Sequence, residues 1–342
     1  MASIPIAISG EKHEHVRPLN VLRDLPQVAD LIELCFVDTM DQDGQRYVED
    51  MRRASQDAGF LHWARRAAES TSLPLTGFVW EENGRVVGNV SLVLFRQKHE
   101  RIFLIANVAT HPDYRRRGIA RALTLQAMDL ARQRRATSIW LHVRADNPGA
   151  IALYRQLGFV ERARRTTWRA QGGLPAFFLP PQYRIEPLSP RLFGDRAGVN
   201  WAEQQAWWRR VYPDELGWYH HWNFSLLQPG LWNWLYLFFM EIYARQWGAF
   251  RLRPAREGGK RLEAVLAWLS FGRGGESLWA ASAPGSEPEA LTGLLIQARR
   301  TLSPHLTLWL DYPAEEGVES IEAAGFRAYR TLLWMRADGA TD

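Results

Sequence analysis

The sequence is poor in the residues that build disulfides and metal centres, and it has no long apolar run. Cys35 is the only cysteine among 342 residues, so an internal disulfide or a cysteine-rich metal site is impossible. The most apolar run, Leu235 to Met240, is far shorter than the ~20 residues that a membrane-spanning helix needs. The first residues lack the basic start and apolar core of a signal peptide. We therefore expect a soluble protein of a reducing compartment, the cytoplasm, with no membrane partner.

Motifs of several enzyme classes are also missing. The chain contains no nucleophile elbow, no Walker loop and no dinucleotide-binding fingerprint. Histidines stand close together at His13 and His15 and at His220 and His221, but without the helical spacing or companion carboxylates of a metal site. We therefore predict no metal.

The net charge of +5 is confined to one half of the chain. Residues 1–170 carry a net charge of +6, whereas residues 171–342 carry −1. Seven arginines of the first half fall between residues 115 and 135, namely Arg115, Arg116, Arg117, Arg121, Arg132, Arg134 and Arg135. Such a local group favours a compact anionic ligand over an extended nucleic acid. Nucleic-acid binding is the alternative, and a strong salt dependence would reveal it.

The first half is predicted to form a mixed sheet with helices on its faces. Asn83-Gly84 separates two β-branched and aromatic runs, which is a strong hairpin signal. Apolar residues at helical spacing predict helices before and after the hairpin. After a first short strand, the predicted elements are helices over Asp24–Cys35 and Arg46–Arg66, strands over Leu75–Trp80, Arg85–Phe95 and Ile102–Ala109, helix Ile119–Arg135, strand Ser138–Val143, helix Pro148–Leu157 and strand Phe159–Trp168.

The second half repeats this pattern. A shift of 167 residues places Gly118 on Gly285 and Gly158 on Gly325. The corresponding predicted elements are helix Glu287–Leu302, strand His305–Leu310, helix Glu315–Ala324 and strand Phe326–Met335. We therefore predict two tandem α/β domains, with an N-terminal tail over 1–15, a first domain over 16–171, a linker over 172–182, a second domain over 183–337 and a C-terminal tail over 338–342.

The middle of the chain is rich in tryptophan. Eight of the 16 tryptophans lie between Trp201 and Trp247. We expect them to fill the core of the second domain; an aromatic wall for a substrate or a partner is the alternative.

Residues 109–120, ATHPDYRRRGIA, predict an anion site. A strand passes through a basic glycine turn into the start of a helix, where main-chain N–H groups and the helix dipole favour a pyrophosphate. Gly118 removes a side chain at the point where a phosphate would approach, and Ala120 is small. A single string of this kind is a weak signal.

A second string, NPGAIALYRQLGF over residues 147–159, follows one strand later. In this order and spacing the two strings resemble motifs A and B of the GCN5-related N-acetyltransferases, across about residues 75–170. The resemblance implies the mixed α/β fold of that family in two tandem copies, acetyl-CoA as co-substrate, and direct transfer to a primary amine in a ternary complex. The first copy is most similar to the ribosomal-protein N-terminal acetyltransferases. The cofactor-binding residues that the resemblance implies are Val108, Ala109 and Thr110 on the strand, Arg115, Arg116, Arg117, Gly118, Ile119, Ala120 and Arg121 around the pyrophosphate, and Asn147, Ala150 and Tyr154 farther along.

The resemblance also implies two catalytic residues. Tyr154 matches the tyrosine that protonates the departing CoA thiolate, and a phenol with a pKa near ~10 can do so. His142 stands where the ribosomal-protein enzymes carry a glutamate base, and an imidazole with a pKa near ~6.5 can do the same work. Glu100 and His99, at the start of the preceding strand, are alternative bases because other branches place their glutamate there.

The second copy lacks this chemistry. Its turn over residues 283–287 has no arginine and brings in Glu287, and Ile321 stands at the tyrosine position. We predict that the second domain does not turn over acetyl-CoA and instead closes the acceptor site. The expected acceptor is a small-molecule amine or a protein N-terminus, and the expected state is a monomer or homodimer. A non-catalytic acyl-CoA-binding or regulatory module is the alternative function.

Overall fold

A computed structural model describes residues 14–37, 40, 42–56, 76–97, 99–188, 201–220, 222, 224–227, 243–253, 259–270, 276–302 and 307–340. The chain divides into two compact units. The first comprises residues 1–143, 147–162 and 334–342, and the second comprises residues 144–146 and 163–333. The domain limits drawn from the repeated sequence stay a prediction. In the described part of the chain, no helix is long and apolar enough to cross a membrane.

The first unit is built on a mixed sheet. Its strands are β1 (Val16–Pro18), β2 (Gly77–Glu82), β3 (Arg85–Gln97), β4 (Glu100–Thr110) and β5 (Ser138–Arg144). Strands β1 to β4 are antiparallel neighbours, and β5 runs parallel to β4. Asn83 and Gly84 form the turn between β2 and β3 with φ angles of 52° and 76°, so the predicted hairpin is confirmed.

Four helices of the described residues accompany this sheet, namely α1 (Val21–Phe36), α2 (Gln42–Gln56), α3 (Ile119–Gln133) and α4 (Pro148–Gln156). The apolar face of α1 packs on the sheet residues Val79, Val86 and Ala109. Helix α3 approaches β3 at Gly88, where a Cβ atom would lie 2.6 Å from a methyl carbon of Ile119. The predicted helix Arg46–Arg66 extends beyond α2 into residues 57–66, which lie outside the described part of the chain.

The second unit repeats the arrangement. The strands that lie in it wholly or in part are β6 (Val160–Ala170), β7 (Tyr183–Pro187), β8 (Tyr243–Leu252), β9 (Lys260–Ser270), β10 (Glu276–Ser282), β11 (Leu308–Pro313) and β12 (Phe326–Asp338). The helices described in it are α5 (Trp201–Val211), α6 (Gly217–His220), α7 (Pro288–Thr301) and α8 (Val318–Ala323). Strands β7 to β10 are antiparallel, β11 is parallel to β10, and β6 is antiparallel to β11. Four of the eight clustered tryptophans, Trp207, Trp208, Trp218 and Trp247, are buried, as the core interpretation predicts.

Strand β12 changes unit along its length. Residues 326–333 belong to the second unit and residues from Trp334 onward to the first. In the first unit, Trp334 packs edge-on against His142, and the N–H of Ala340 donates to the carbonyl oxygen of Ala136 at 2.8 Å. The final residues of the chain are therefore part of the first unit.

Candidate active site

Strands β4 and β5 pair along only part of their length. Within residues 99–188, which are described without a gap, their pairing covers Ile102–Ile105 against Ser138–Leu141 and then stops. Strand β4 continues to Thr110, so its last five residues have no registered partner in β5. The predicted cofactor residues Val108, Ala109 and Thr110 all lie in this stretch. Their main-chain N–H groups on the β5 side are therefore available to an extended ligand, whereas the carbonyl of Thr110 already accepts from the Sγ of Cys35 at 3.3 Å.

A basic turn connects β4 to α3. Residues Pro112–Tyr114 form a single 3₁₀ turn, and Arg116 and Gly118 then take positive φ angles of 65° and 79°. Gly118 precedes α3 without a side-chain cap, and the first turn of the helix carries no acidic residue. The first helical bond from this end runs from the N–H of Ala122 to the carbonyl of Gly118 at 3.0 Å. The N–H groups from Gly118 to Arg121 thus have no partner within the helix, which is the arrangement that binds anions.

Gly118 is required for its backbone conformation. A Cβ atom at this position would meet no heavy atom within 4 Å. Position 118 therefore requires glycine because of its φ angle of 79°, and not because neighbouring atoms leave no room for a side chain. The space beside Gly118 is open, and its predicted role at a phosphate stays a prediction.

The arginines of residues 115–135 form two groups in space. Arg115, Arg116, Arg117 and Arg121 are exposed at the start of α3. Arg132, Arg134 and Arg135 stand at its other end, about 20 Å away along the helix. Only the first group stands at the predicted anion site, and the charges of the second group instead complement the negative end of the helix dipole.

Two arginines of the first group are held by protein contacts. The guanidinium of Arg117 lies 4.8 Å from the ring centroid of Tyr114 and 3.6 Å from a carboxylate oxygen of Glu82. The Nε of Arg115 donates to the carbonyl of Thr110 at 3.4 Å. Arg116 and Arg121 form no ion pair with another described residue. These two cations are therefore the ones most free to meet an anion.

Asn147 caps helix α4. Its side-chain oxygen accepts a hydrogen bond from the N–H of Ala150 at 3.0 Å. This contact explains an asparagine at this position without a ligand. The predicted place of Asn147 and Ala150 beside the cofactor stays a prediction.

Tyr154 lies on α4 with 7% of its surface exposed, and its ring packs edge-on against Phe159. Burial raises the pKa of Tyr154 to about 12. Complete proton transfer to a thiolate whose conjugate acid has a pKa near ~8.5 would be uphill by about 5 kcal/mol. A hydrogen bond donated to a thiolate as it forms avoids that penalty, and the neutral phenol is suited to it.

Burial of Tyr154 also predicts a pH dependence of stability. In the unfolded chain a tyrosine loses its proton near pH ~10, whereas in the fold its pKa is about 12. Unfolding therefore becomes more favourable as the pH rises through this window, by about 2 kcal/mol for this residue. In urea unfolding, the stability of Tyr154→Phe relative to the unsubstituted protein should rise by that amount from about pH 9 to about pH 12. A difference that is constant across this range would contradict the burial of the phenol.

His142 occupies the first β5 position beyond the last β4–β5 pair. Its half-buried ring stands edge-on to Trp334, with 5.0 Å between the centroids. The alternative bases lie elsewhere, since Glu100 pairs with Gln97 at the other end of β4, roughly 20 Å from the point where the strands part. Of the three candidate bases, His142 is the one next to the gap. The paired histidines of the sequence have aromatic neighbours, with His15 stacked on Trp80 and His220 on Trp222, while His13 and His221 lie outside the described residues.

The equivalent gap in the second unit is occupied by the chain itself. Strands β10 and β11 pair over Glu276–Leu278 against Leu308–Leu310. Beyond these pairs, the N–H of Ala280 donates to the hydroxyl of Tyr212 at 3.0 Å. Tyr212 is 1% exposed and packs against Trp208, Trp222 and Phe224. A tyrosine thus bonds a strand N–H that would otherwise be available to an extended ligand.

The start of α7 in the second unit carries negative charge. The hydroxyl of Tyr183 lies 2.8 Å from a carboxylate oxygen of Glu263 and 3.1 Å from one of Glu287. Glu287 is the residue that precedes α7, so a carboxylate stands where α3 has only arginines and N–H groups. Arg251 pairs with both carboxylates, at 2.9 Å from Glu287 and 3.8 Å from Glu263, so one net negative charge remains at this end and opposes a diphosphate.

The site also contains residues that the sequence patterns do not reveal. Asn107 interrupts β4 with a φ angle of 52°, and its side chain meets the hydroxyl of Tyr47 on α2 at 2.7 Å. A continuous apolar pattern conceals such a bulge, and no local signal in α2 identifies Tyr47 as its partner.

Comparisons with known proteins show what this chain is similar to. Residues 29–159 match the family model described as Acetyltransferase (GNAT) family. The [Ribosomal protein bS18]-alanine N-acetyltransferase of Escherichia coli (strain K12) is 45% identical over 62 residues, which are 18% of this chain and 42% of that protein. The Mycothiol acetyltransferase of Acidothermus cellulolyticus is 32% identical over 129 residues, 36% of this chain and 38% of that protein. The chain therefore spans about two fifths of the length of these curated relatives.

Among solved structures, a GCN5-related N-acetyltransferase from Sphaerobacter thermophilus covers 96% of this chain and 98% of its own, with a TM-score of 0.50 and 14% sequence identity. This likeness concerns the fold.

Proposed function

We propose that this chain belongs to the GNAT acetyltransferase family, whose model matches residues 29–159, and that its first unit is an acetyl-CoA-dependent N-acetyltransferase. The observation that carries the proposal is the gap between β4 and β5 followed directly by the uncapped, arginine-flanked start of α3. The gap would receive the pantetheine arm against Val108, Ala109 and Thr110. The N–H groups from Gly118 to Arg121 would receive the diphosphate.

The proposed reaction is a direct transfer within a ternary complex. The nitrogen of a primary amine attacks the thioester carbonyl, whose oxygen is polarised by main-chain N–H groups of β4. His142 accepts a proton from the amine, and the C–S bond breaks as the N–C bond is completed. Tyr154 donates a hydrogen bond to the departing thiolate. The products are an N-acetylated acceptor and the CoA thiolate, which takes up a proton from solvent, while His142 releases the amine's proton to solvent.

The acceptor is proposed by chemical class alone, as a primary amine of a protein N-terminus or a small molecule. A ribosomal-protein-alanine N-acetyltransferase and a mycothiol acetyltransferase among the similar proteins support both kinds. We expect CoA release with at least one acceptor from a panel of an alanine-starting peptide, free amino acids, a polyamine and amino sugars, with the acetylated product identified by mass spectrometry. Tight acetyl-CoA binding with no release over the whole panel would favour the non-catalytic binding module.

The second unit is proposed not to bind acetyl-CoA, since Tyr212 bonds the strand N–H of Ala280 and carboxylates stand at the start of α7. Calorimetry should therefore give one acetyl-CoA per chain. A stoichiometry of two would contradict the assignment of a single cofactor site.

Two glycines offer a matched pair for this proposal. Gly118 and Gly285 have φ angles of 79° and 72°, and a Cβ atom on either would meet no heavy atom within 4 Å. Alanine at either position should lower the free energy of unfolding by about 1 kcal/mol, because both conformations disfavour a side chain. Only Gly118→Ala should also weaken acetyl-CoA binding, by about tenfold or more, since it disturbs the N–H groups at the start of α3. An equal loss of affinity in both variants, or in neither, would place the diphosphate elsewhere.

A further inference from the structure

Strand β4 contains a bulge at the point where it leaves β5. Asn89 of β3 is in register with Ala109 of β4, and Ser91 of β3 is in register with Ala106 of β4. Two residues along β3 therefore correspond to three residues along β4. The extra residue lies at Asn107–Val108, and Asn107 is two residues beyond Ile105, the last β4 residue that pairs with β5. Asn107 has a φ angle of 52°, in the left-handed region that asparagine tolerates better than most side chains.

Side-chain hydrogen bonds hold this conformation. The Nδ2 of Asn89 donates to the main-chain carbonyl of Asn107 at 3.0 Å. The Nδ2 of Asn107 donates to the hydroxyl of Tyr47 at 2.7 Å and lies 3.4 Å from the hydroxyl of Ser91. Asn89 and Ser91 are 0% and 1% exposed, so a polar network stands among the apolar residues of β3. The Oδ1 of Asn89 has no hydrogen-bond partner among the described residues, so the amide donors of Asn89 and Asn107 hold this network together.

Tyr47 connects the network to a helix. It is the member that lies outside the sheet, on α2, and burial raises the pKa of its hydroxyl, which therefore stays protonated. Its contact with Asn107 is also the shortest hydrogen bond of the network. Through this hydrogen bond, Tyr47 of α2 contacts the side chain of the residue at which the β4 main chain bulges.

We propose that Tyr47 is a positioning residue of the transferase site: through Asn107 it holds the β4 bulge that orients the N–H groups of Val108 to Thr110. The inference rests on the proposed function, because those N–H groups are the ones assigned to the thioester and the pantetheine arm. Tyr47 itself touches Asn107 and not the reacting atoms.

A double-variant cycle tests the inference, with acetyl-CoA affinity measured by calorimetry. Tyr47→Phe removes only the hydroxyl, and we expect it to weaken acetyl-CoA binding about fivefold. In the Asn107→Gly background, glycine adopts the bulge conformation unaided, so adding Tyr47→Phe should change the affinity less than about twofold. The control is Tyr183→Phe, which removes a bonded hydroxyl from the second unit and should leave the affinity unchanged.

Amide hydrogen exchange of the protein without acetyl-CoA provides a second readout. Residues 106–110 should exchange faster in Tyr47→Phe than in the unsubstituted protein, and at equal rates in the two Asn107→Gly chains. The positioning role is overturned if Tyr47→Phe leaves both the affinity and this exchange unchanged, or if it lowers the affinity by the same factor in both backgrounds. An unsubstituted protein that binds no acetyl-CoA would instead refute the proposed function, and the exchange result alone would then decide the role of Tyr47.

Discussion

Replacing Tyr154 with phenylalanine is expected to lower the rate of acetyl transfer about 100-fold. The hydroxyl is the group proposed to meet the departing thiolate, whereas the ring packs against Phe159 and would stay in place. Affinity for acetyl-CoA should change little, because the hydrogen bond is needed chiefly as the C–S bond breaks. Steady-state CoA release and calorimetry, measured on the same preparation, separate the two quantities.

Tyr312→Phe is the control for this experiment. Tyr312 is a buried tyrosine of the second unit whose pKa burial also raises to about 12. The Tyr312→Phe variant should release CoA at the same rate as the unsubstituted enzyme. If Tyr154→Phe keeps more than about half of the rate, the thiolate is stabilised by another group, and Tyr154 is a core residue of α4.

Replacing Arg165 with methionine is expected to lower the stability of the second unit by about 3 kcal/mol or more. The side chain of Arg165 is 2% exposed and forms an ion pair with Asp311. Its guanidinium also donates to the main-chain oxygens of Val211 and Asp311 and lies about 5 Å from the rings of Tyr212 and Trp222. Burial raises the pKa of Asp311, and Arg165 opposes that rise more strongly than Arg330 does, so loss of Arg165 removes the main counter-charge and the ion-pair partner of a buried carboxylate.

Thermal and urea unfolding measure this effect against Arg209→Met. Arg209 is on the same helix as Val211, but its side chain is 60% exposed, so its replacement should change stability by less than about 0.5 kcal/mol. Adding Asp311→Asn to Arg165→Met should recover part of the loss, because the unpaired charge is removed with its partner. Equal stabilities for the Arg165 and Arg209 variants would show that the buried pair contributes nothing.

Much of the first unit follows from local patterns. Helix α3 is predicted over Ile119–Arg135 and ends at Gln133, because Arg135 takes a φ angle of 56° that a helix cannot continue. The turn at Asn83-Gly84 and the glycine before α3 are found where the turn chemistry requires them. The 167-residue shift is also matched by conformation, since Gly158 and Gly325 have φ angles of 86° and 79° and each follows a short helix.

The features that local patterns miss are long-range ones. The bulge at Asn107 depends on a tyrosine 60 residues earlier in the chain. The arginines of residues 115–135 divide into two groups because helix α3 separates them, so residues close in sequence are not close in space. Asn147 shows the opposite case, because a residue identified through a family motif also has an ordinary capping role. In each of these cases the contacts that a residue makes in the fold, and not its type alone, determine its role.

The position of the last strand has a consequence for biosynthesis. The first unit includes residues 334–342, and the N–H of Ala340 bonds to Ala136, about 200 residues earlier. A nascent chain that has already delivered the whole of α4 from the ribosome therefore still lacks part of its first unit. Contacts of such long sequence separation form late and slowly. We expect the transferase site to mature only after synthesis has passed residue 340, so that shortened products of translation would accumulate without binding acetyl-CoA.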